Sequence, residues 1–92
     1  MNVTIAFYFK HNDTLVCTRE DFPNWTMPLP RRGDIVMPTE TEDVTVYQVG
    51  SGRSWEIEFP DDIFLLDFVV AKVIFIPTDG YIQIYCHLKD GE

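Results

Sequence analysis

Residues 3–10 alternate strictly. Val3, Ile5, Phe7 and Phe9 fall on one side of an extended chain, and Thr4, Ala6, Tyr8 and Lys10 on the other. That two-residue period predicts a half-buried β-strand. Asn12-Asp13 supplies a turn, and Leu15-Val16-Cys17 starts a return strand, so an N-terminal hairpin is expected. Ile35-Val36-Met37 reads as a short strand stopped by Pro38, with residues 39–43 as an exposed acidic loop. Residues 44–49 form a further strand, and Gly50-Ser51-Gly52 a turn. Trp55, Ile57 and Phe59 then alternate with Ser54, Glu56 and Glu58, a second strand with one wet face.

The strongest local pattern is C-terminal. Residues 68–76 and 81–88 are two apolar runs joined by Pro77-Thr78-Asp79-Gly80, a four-residue hairpin connection. With Ile76 opposite Tyr81, the pairs Phe75–Ile82, Val73–Ile84, Ala71–Cys86 and Val69–Leu88 are all apolar and share a face. The other face pairs Ile74 with Gln83, Lys72 with Tyr85 and Val70 with His87. A slip of one residue would mix the faces, so this register is the expected one.

Between these runs lie breakers. Pro23, Pro28 and Pro30 mark residues 22–30 as an irregular loop or sheet edge, from which Phe22 and Trp25 fold back to cap a core. Pro60-Asp61-Asp62 interrupts the chain again, and Asp62 is placed to cap a single helical turn over residues 62–66. The expected fold is therefore all-β: a small barrel or β-sandwich of five to six short antiparallel strands, with the N-terminal hairpin as an addition.

Composition agrees with one β domain spanning residues 1–92. Hydrophobic residues make up 46% and aromatics 14% of the 92 residues, enough to fold without a metal or disulfides. No stretch approaches the roughly 18 apolar residues of a membrane span, since Asp67 and Lys72 break the most apolar run. A start at Met1 without a basic, then apolar, leader fits a cytoplasmic product. Cys17 and Cys86 are then expected as reduced thiols. The net charge of −8 is uneven: residues 40–67 carry eight acids and only Arg53 as a base. Direct binding to a phosphate backbone is disfavoured, whereas a basic protein partner is electrostatically easier.

Leu29-Pro30-Arg31-Arg32-Gly33-Asp34-Ile35-Val36 resembles the entry to the first barrel strand in small SH3-like barrel domains of bacterial and phage proteins. Those domains also close with an apolar hairpin like residues 68–88, so the resemblance covers residues 29–88. It implies a small barrel and a habit of binding, and no reaction. Gly33-Asp34-Ile35-Val36 is also similar to the β-rich fold of self-cleaving repressors and signal peptidases. Those need a serine nucleophile and a lysine base, and the spacing of Ser51, Ser54 and Lys72 supports no such dyad.

Other motifs have plainer readings. Arg32-Gly33-Asp34 is the integrin tripeptide, but it reads first as a tight turn into a strand, with Gly33 at positive φ. Asn2, Asn12 and Asn24 each begin an Asn-x-Thr sequon, with no secretion signal to give them meaning. His11, Cys17, Cys86 and His87 contain a zinc ligand set by type, yet neighbours on a strand point to opposite faces. Asp61, Asp62 and Asp67 match no calcium loop. Glu56 and Glu58 sit about 7 Å apart on one strand face, as any two wet-face residues do. No cofactor and no catalytic group is expected.

The leading functional expectation is a non-catalytic protein-interaction module with an unknown protein partner. Its candidate contacts are Trp25, Tyr47, Tyr81 and Tyr85, with Arg31 and Arg32 either as grips for a carboxylate or phosphate or as a balance to the acidic segment within the fold. For Trp25, burial in the core is the competing reading. The alternative is an acidic decoy that mimics nucleic acid toward a basic partner through Glu40, Glu42, Asp43, Asp61 and Asp62. An edge strand also offers a route to a homodimer.

Overall fold

In the computed structural model, which describes residues 2–11, 14–41, 44–50, 53–59, 67–78 and 80–89, the chain is a single seven-stranded sheet. β1 (Val3–His11) and β2 (Thr14–Phe22) form the expected N-terminal hairpin, in register from Val3–Phe22 to His11–Thr14. β3 (Ile35–Glu40), β4 (Thr45–Val49), β5 (Ser54–Phe59), β6 (Phe68–Ile76) and β7 (Tyr81–Leu88) follow. The strands lie in the order β2-β1-β7-β6-β3-β5-β4, and the sheet curls into a half-barrel. The all-β class is as expected, and none of the described residues is helical. The expected helical turn at 62–66 and the turns at Asn12-Asp13 and Ser51-Gly52 lie outside the described residues.

Two expectations are corrected. There are seven strands rather than five to six, and they are not all antiparallel: β1 runs parallel to β7, and β3 parallel to β5. Hydrophobic alternation fixes which side of a strand is buried but carries no information on its neighbour or direction. β3 also continues through Pro38 to Glu40, so Thr39 and Glu40 are not loop residues. The reason is one-sided pairing. Among the described residues β6 meets β3 only at Ile35 and Val36, the described ladder from Met37 onward runs to β5, and the buried Pro38 sits opposite Ile57. A proline fits where one edge of its strand needs no donor.

The β6–β7 register holds from the turn to Lys72–Tyr85, with Ile76–Tyr81, Phe75–Ile82, Ile74–Gln83 and Val73–Ile84 as expected. A bulge between Val70 and Lys72 then shifts the rest by one, giving Val70–Cys86, Val69–His87 and Phe68–Leu88 instead of Ala71–Cys86, Val70–His87 and Val69–Leu88. The bulge turns Phe68 and Val70 inward, where both are fully buried, and leaves Ala71 exposed.

The concave side holds one core. It contains Val3, Ile5, Phe7 and Phe9 of β1, Val36, Val46, Trp55 and Ile57 of the far strands, and Ile82, Ile84 and Cys86 of β7. Phe9 meets Phe68 edge-on at 5.1 Å. The loop after β2 closes the open side: Trp25 stacks against Trp55 at 6.3 Å and takes the edge of Phe22 at 5.3 Å. Phe22 and Trp25 thus cap the core as the breaker pattern suggests.

Candidate functional site

The convex side of β2-β1-β7-β6 is set by the same alternation that fills the core. With Ile5, Phe7 and Phe9 inside, Thr4, Ala6, Tyr8 and Lys10 face out. With Ile82, Ile84 and Cys86 inside, Tyr81, Gln83, Tyr85 and His87 face out. The parallel register sets Thr4 beside Tyr81, Ala6 beside Gln83, and Tyr8 beside Tyr85. β2 adds Asp21, Arg19 and Cys17 next to Thr4, Ala6 and Tyr8, and β6 adds Ile76, Ile74 and Lys72 next to Tyr81, Gln83 and Tyr85.

This placement brings three tyrosines into one ordered cluster. The rings of Tyr8 and Tyr85 stack at 4.6 Å, 10° from parallel. The hydroxyls of Tyr8 and Tyr81 lie 3.4 Å apart. Gln83 joins the set: its Nε2 donates to the Tyr81 hydroxyl and its Oε1 accepts from the Tyr85 hydroxyl, both at 3.4 Å. Arg19 places its guanidinium 4.8 Å from the Tyr81 ring centre, and the Lys72 ammonium lies 5.9 Å from that of Tyr85. Ala6 points outward yet is 0% exposed, so longer neighbours roof it. At the margin, Thr4 Oγ1 donates to Asp21 at 2.6 Å.

The cluster splits its tyrosines electrostatically. The hydrogen bond to Tyr81, then burial, push the Tyr8 hydroxyl up to about 12. Tyr81 moves down, through its hydrogen bonds with Tyr8 and Gln83 and the charge of Arg19, against opposing burial. Among the described residues of these strands, Lys10, Arg19 and Lys72 give this face three bases against one acid, Asp21, in a chain of net charge −8. The opposite pole is acidic. Glu56 and Glu58 share the outer side of β5, beside Tyr47 on β4, whose hydroxyl donates to Glu58 at 2.6 Å.

A second arrangement surrounds Asp34. Arg31-Arg32-Gly33-Asp34 is a β-turn closed by Asp34 N donating to Arg31 O at 2.9 Å, with Gly33 at φ 94° as a type II turn requires. The carboxylate of Asp34 is 1% exposed and fully engaged. Oδ2 accepts from Arg31 N at 2.9 Å and Trp55 Nε1 at 3.1 Å, and Oδ1 accepts from Arg53 Nε at 2.9 Å. Burial alone would raise its pKa, but the donors of Arg31, Trp55 and Arg53 outweigh it and hold the group below the usual carboxylate range. Beside it opens a cleft of about 510 Å³ lined by Pro28, Leu29, Arg31, Asp34, Gln48, Arg53 and Trp55.

The six candidate contacts therefore do not make one surface. Tyr81 and Tyr85 lie together. Tyr47 is at the far end of the sheet, four strands from β7. Arg31 and Arg32 are exposed on the turn before β3, and Trp25 is only 5% exposed, so its ring serves the core. Of the acidic set, Glu40 ends β3, and Glu42, Asp43, Asp61 and Asp62 lie outside the described residues. Cys86 points into the core, where burial pushes its thiol up to about 12, while Cys17 and His87 are on the other side of the sheet. Among the described residues no three potential ligands gather as a metal site, and no helix is long and apolar enough to cross a membrane. Sequence reasoning missed Tyr8, Arg19 and Gln83. Tyr8 was visible as the large residue on the polar side of the first strand, but its partners depend on the β1–β7 pairing. Comparison of the chain with protein-family models, with curated proteins and with solved structures finds no match.

Proposed function

We propose that the protein is a non-catalytic protein-interaction module that binds through the outer face of β2-β1-β7-β6. The observation that carries this reading is the tyrosine cluster Tyr8–Tyr85–Tyr81, ordered by stacking and hydrogen bonds on an open sheet face. Tyrosine and arginine give contact area together with polar tips, and they dominate interface energetics. Rings already held by neighbours lose little freedom on binding. The ring faces argue for protein over single-stranded nucleic acid. Tyr8 and Tyr85 cover each other, and Lys72 and Arg19 lie over Tyr85 and Tyr81, so few faces are left for bases to stack on. Local positive charge favours a partner with acidic groups at the rim. We place the encounter in the cytoplasm, where a thiol exposed on the contact face, as Cys17 is, stays reduced. For architecture, the proposal keeps β3–β7 as the SH3-like unit and the β1–β2 hairpin as its addition. Among the described residues the hairpin joins the sheet through β1 against β7 alone, which supports that division.

The test is affinity capture from lysate of the source organism with immobilised wild type, Tyr85→Ala, Tyr8→Ala and Tyr47→Phe, each first shown to be folded. The reading expects a protein retained by wild type and by Tyr47→Phe at low and high salt. That protein is lost with Tyr85→Ala or Tyr8→Ala, since a central aromatic anchor is worth about 2 kcal/mol, or roughly 30-fold in affinity. Retention indifferent to Tyr8 and Tyr85, or no retained protein, would sink it.

A further inference from the structure

The cleft beside Asp34 contains an arginine that is positioned rather than merely paired. Arg53 donates only its Nε to Asp34, at 2.9 Å, and its side chain stays 61% exposed. Asp34 is itself fixed by two further donors, Arg31 N and the indole of the fully buried Trp55. The guanidinium lies along the tight turn, close enough that a Cβ built on Gly33 would be 3.5 Å from its Nη2. A buried, saturated carboxylate thus orients the guanidinium, while its terminal nitrogens have no hydrogen-bond partner among the described residues. Arg31 lines the same cleft. Its contact with Asp34 runs through the backbone, so its side chain is not spent on that carboxylate. The rest of the lining is Gln48 and an apolar wall from Pro28, Leu29 and Trp55.

We propose that this cleft binds a small organic monocarboxylate, with Arg53 and Arg31 on the carboxylate and the apolar body against Leu29, Pro28 and Trp55. A guanidinium presents paired N–H donors that match a carboxylate, and a donor group held by a buried partner is preorganised for it. The cleft's volume is within the range of small-molecule sites. The apolar wall selects among anions: an organic carboxylate has a hydrocarbon body to set against Pro28, Leu29 and Trp55, whereas inorganic phosphate has none. This site is separate from the tyrosine face and does not depend on its role.

The test is an NMR titration of isotope-labelled protein with benzoate, reading the Trp55 indole Nε1–H and Arg53 Nε–H signals, with benzamide as the neutral control and inorganic phosphate as the competing anion. Saturable shifts of both signals with benzoate are expected, with a Kd on the order of 1 mM for so small an acid. Benzamide should leave both unmoved, and phosphate should bind more weakly than benzoate. Arg53→Gln and Arg31→Gln should each weaken benzoate about tenfold or more. Arg32→Gln, on the same turn but outside the cleft, should leave it unchanged. Arg31→Gln keeps the backbone bond to Asp34, so it carries the test if Arg53→Gln does not fold. No saturable shift, an equal response to benzamide, tighter binding of phosphate, or wild-type affinity in Arg31→Gln would each overturn the assignment.

Discussion

Replacing Asp34 by alanine tests whether the turn before β3 is a structural keystone. Its main chain already ties three strands: Val70 N donates to Asp34 O, Gly33 N donates to Val70 O, and Ile35 N donates to Arg53 O, all at 2.9–3.0 Å. This is where β6 meets β3, the seam made of only two paired residues. Asp34→Ala leaves those bonds but strands two donors, the buried indole N–H of Trp55 and the part-buried Arg31 N–H. A buried donor without a partner costs about 1–3 kcal/mol, and a partly buried one less, so the total should be about 2–4 kcal/mol. Loss of the Arg53 contact adds little, because that side chain is mostly in water. Ninety-two residues predict a total stability of about 5–14 kcal/mol. Asp34→Ala should therefore fold with a much lower urea midpoint. Asp34→Asn keeps one acceptor oxygen for Trp55 and Arg31 and should lose about half as much. pH gives an independent check. The folded carboxyl is held below its unfolded value, so its contribution is present above about pH 4 and is lost as pH falls through the folded pKa. The gap between wild type and Asp34→Ala, measured by urea unfolding with tryptophan fluorescence, should shrink on acidification. A gap under about 0.5 kcal/mol at neutral pH, or one that grows toward acid, would refute the reasoning.

Three further outcomes follow from the geometry. Trp25→Ala should cost about 3–5 kcal/mol by emptying the closure of the core. Trp25→Phe should cost only about 1 kcal/mol, because the buried Trp25 Nε1 has no partner among the described residues, and equilibrium unfolding separates the two. Gly50 and Gly80 both have positive φ, but a Cβ on Gly50 meets nothing while one on Gly80 comes 3.0 Å from the backbone oxygen of Asn2. Gly50→Ala should cost about 1 kcal/mol and Gly80→Ala at least about 2, read as thermal midpoints in calorimetry. The hydrogen bond to Glu58 raises Tyr47 from 10.0 to about 12. Its stabilising effect is thus complete below pH 10 and fades as pH climbs toward 12. In an ultraviolet titration, Tyr47→Phe should remove a late-ionising phenol, and Tyr81→Phe one that ionises below the ordinary tyrosine value.

What was legible in the chain was local. The alternation in residues 3–10 and 54–59, the C-terminal hairpin and the positive φ at Gly33 all follow from periods and turn chemistry acting within a few residues. Pairing partners did not. The β1–β7 contact joins residues some 75 positions apart, and parallel strands leave no turn to mark them. The bulge at Ala71 was hidden for a related reason: residues 68–71, where the two registers differ, are apolar on both sides, so either register buries hydrophobic groups. Only the choice between Phe68 and Ala71 as the inward residue decides it, and the larger ring wins by the apolar area it removes from water.

Of the candidate surface, Tyr81 and Tyr85 were legible in the sequence and the bases around them were not, because charge along the chain differs from charge across the sheet. Residues 40–67 hold most of the net charge, which points to an acidic partner-binding segment. Folding separates what the chain interleaves. Glu56 and Glu58 go to the β5 side, while Lys10, Arg19 and Lys72 come from three different strands to flank Tyr8, Tyr81 and Tyr85. None of these bases is adjacent to another in sequence, so no run or motif announces them. On the proposed reading, a partner would meet a face whose described residues hold three bases, three tyrosines and one acid within a Debye length of roughly 8–10 Å, whatever the total charge of the molecule. For that reason raising the salt should weaken capture by the tyrosine face without abolishing it, since the rings supply the part of the contact that salt does not screen.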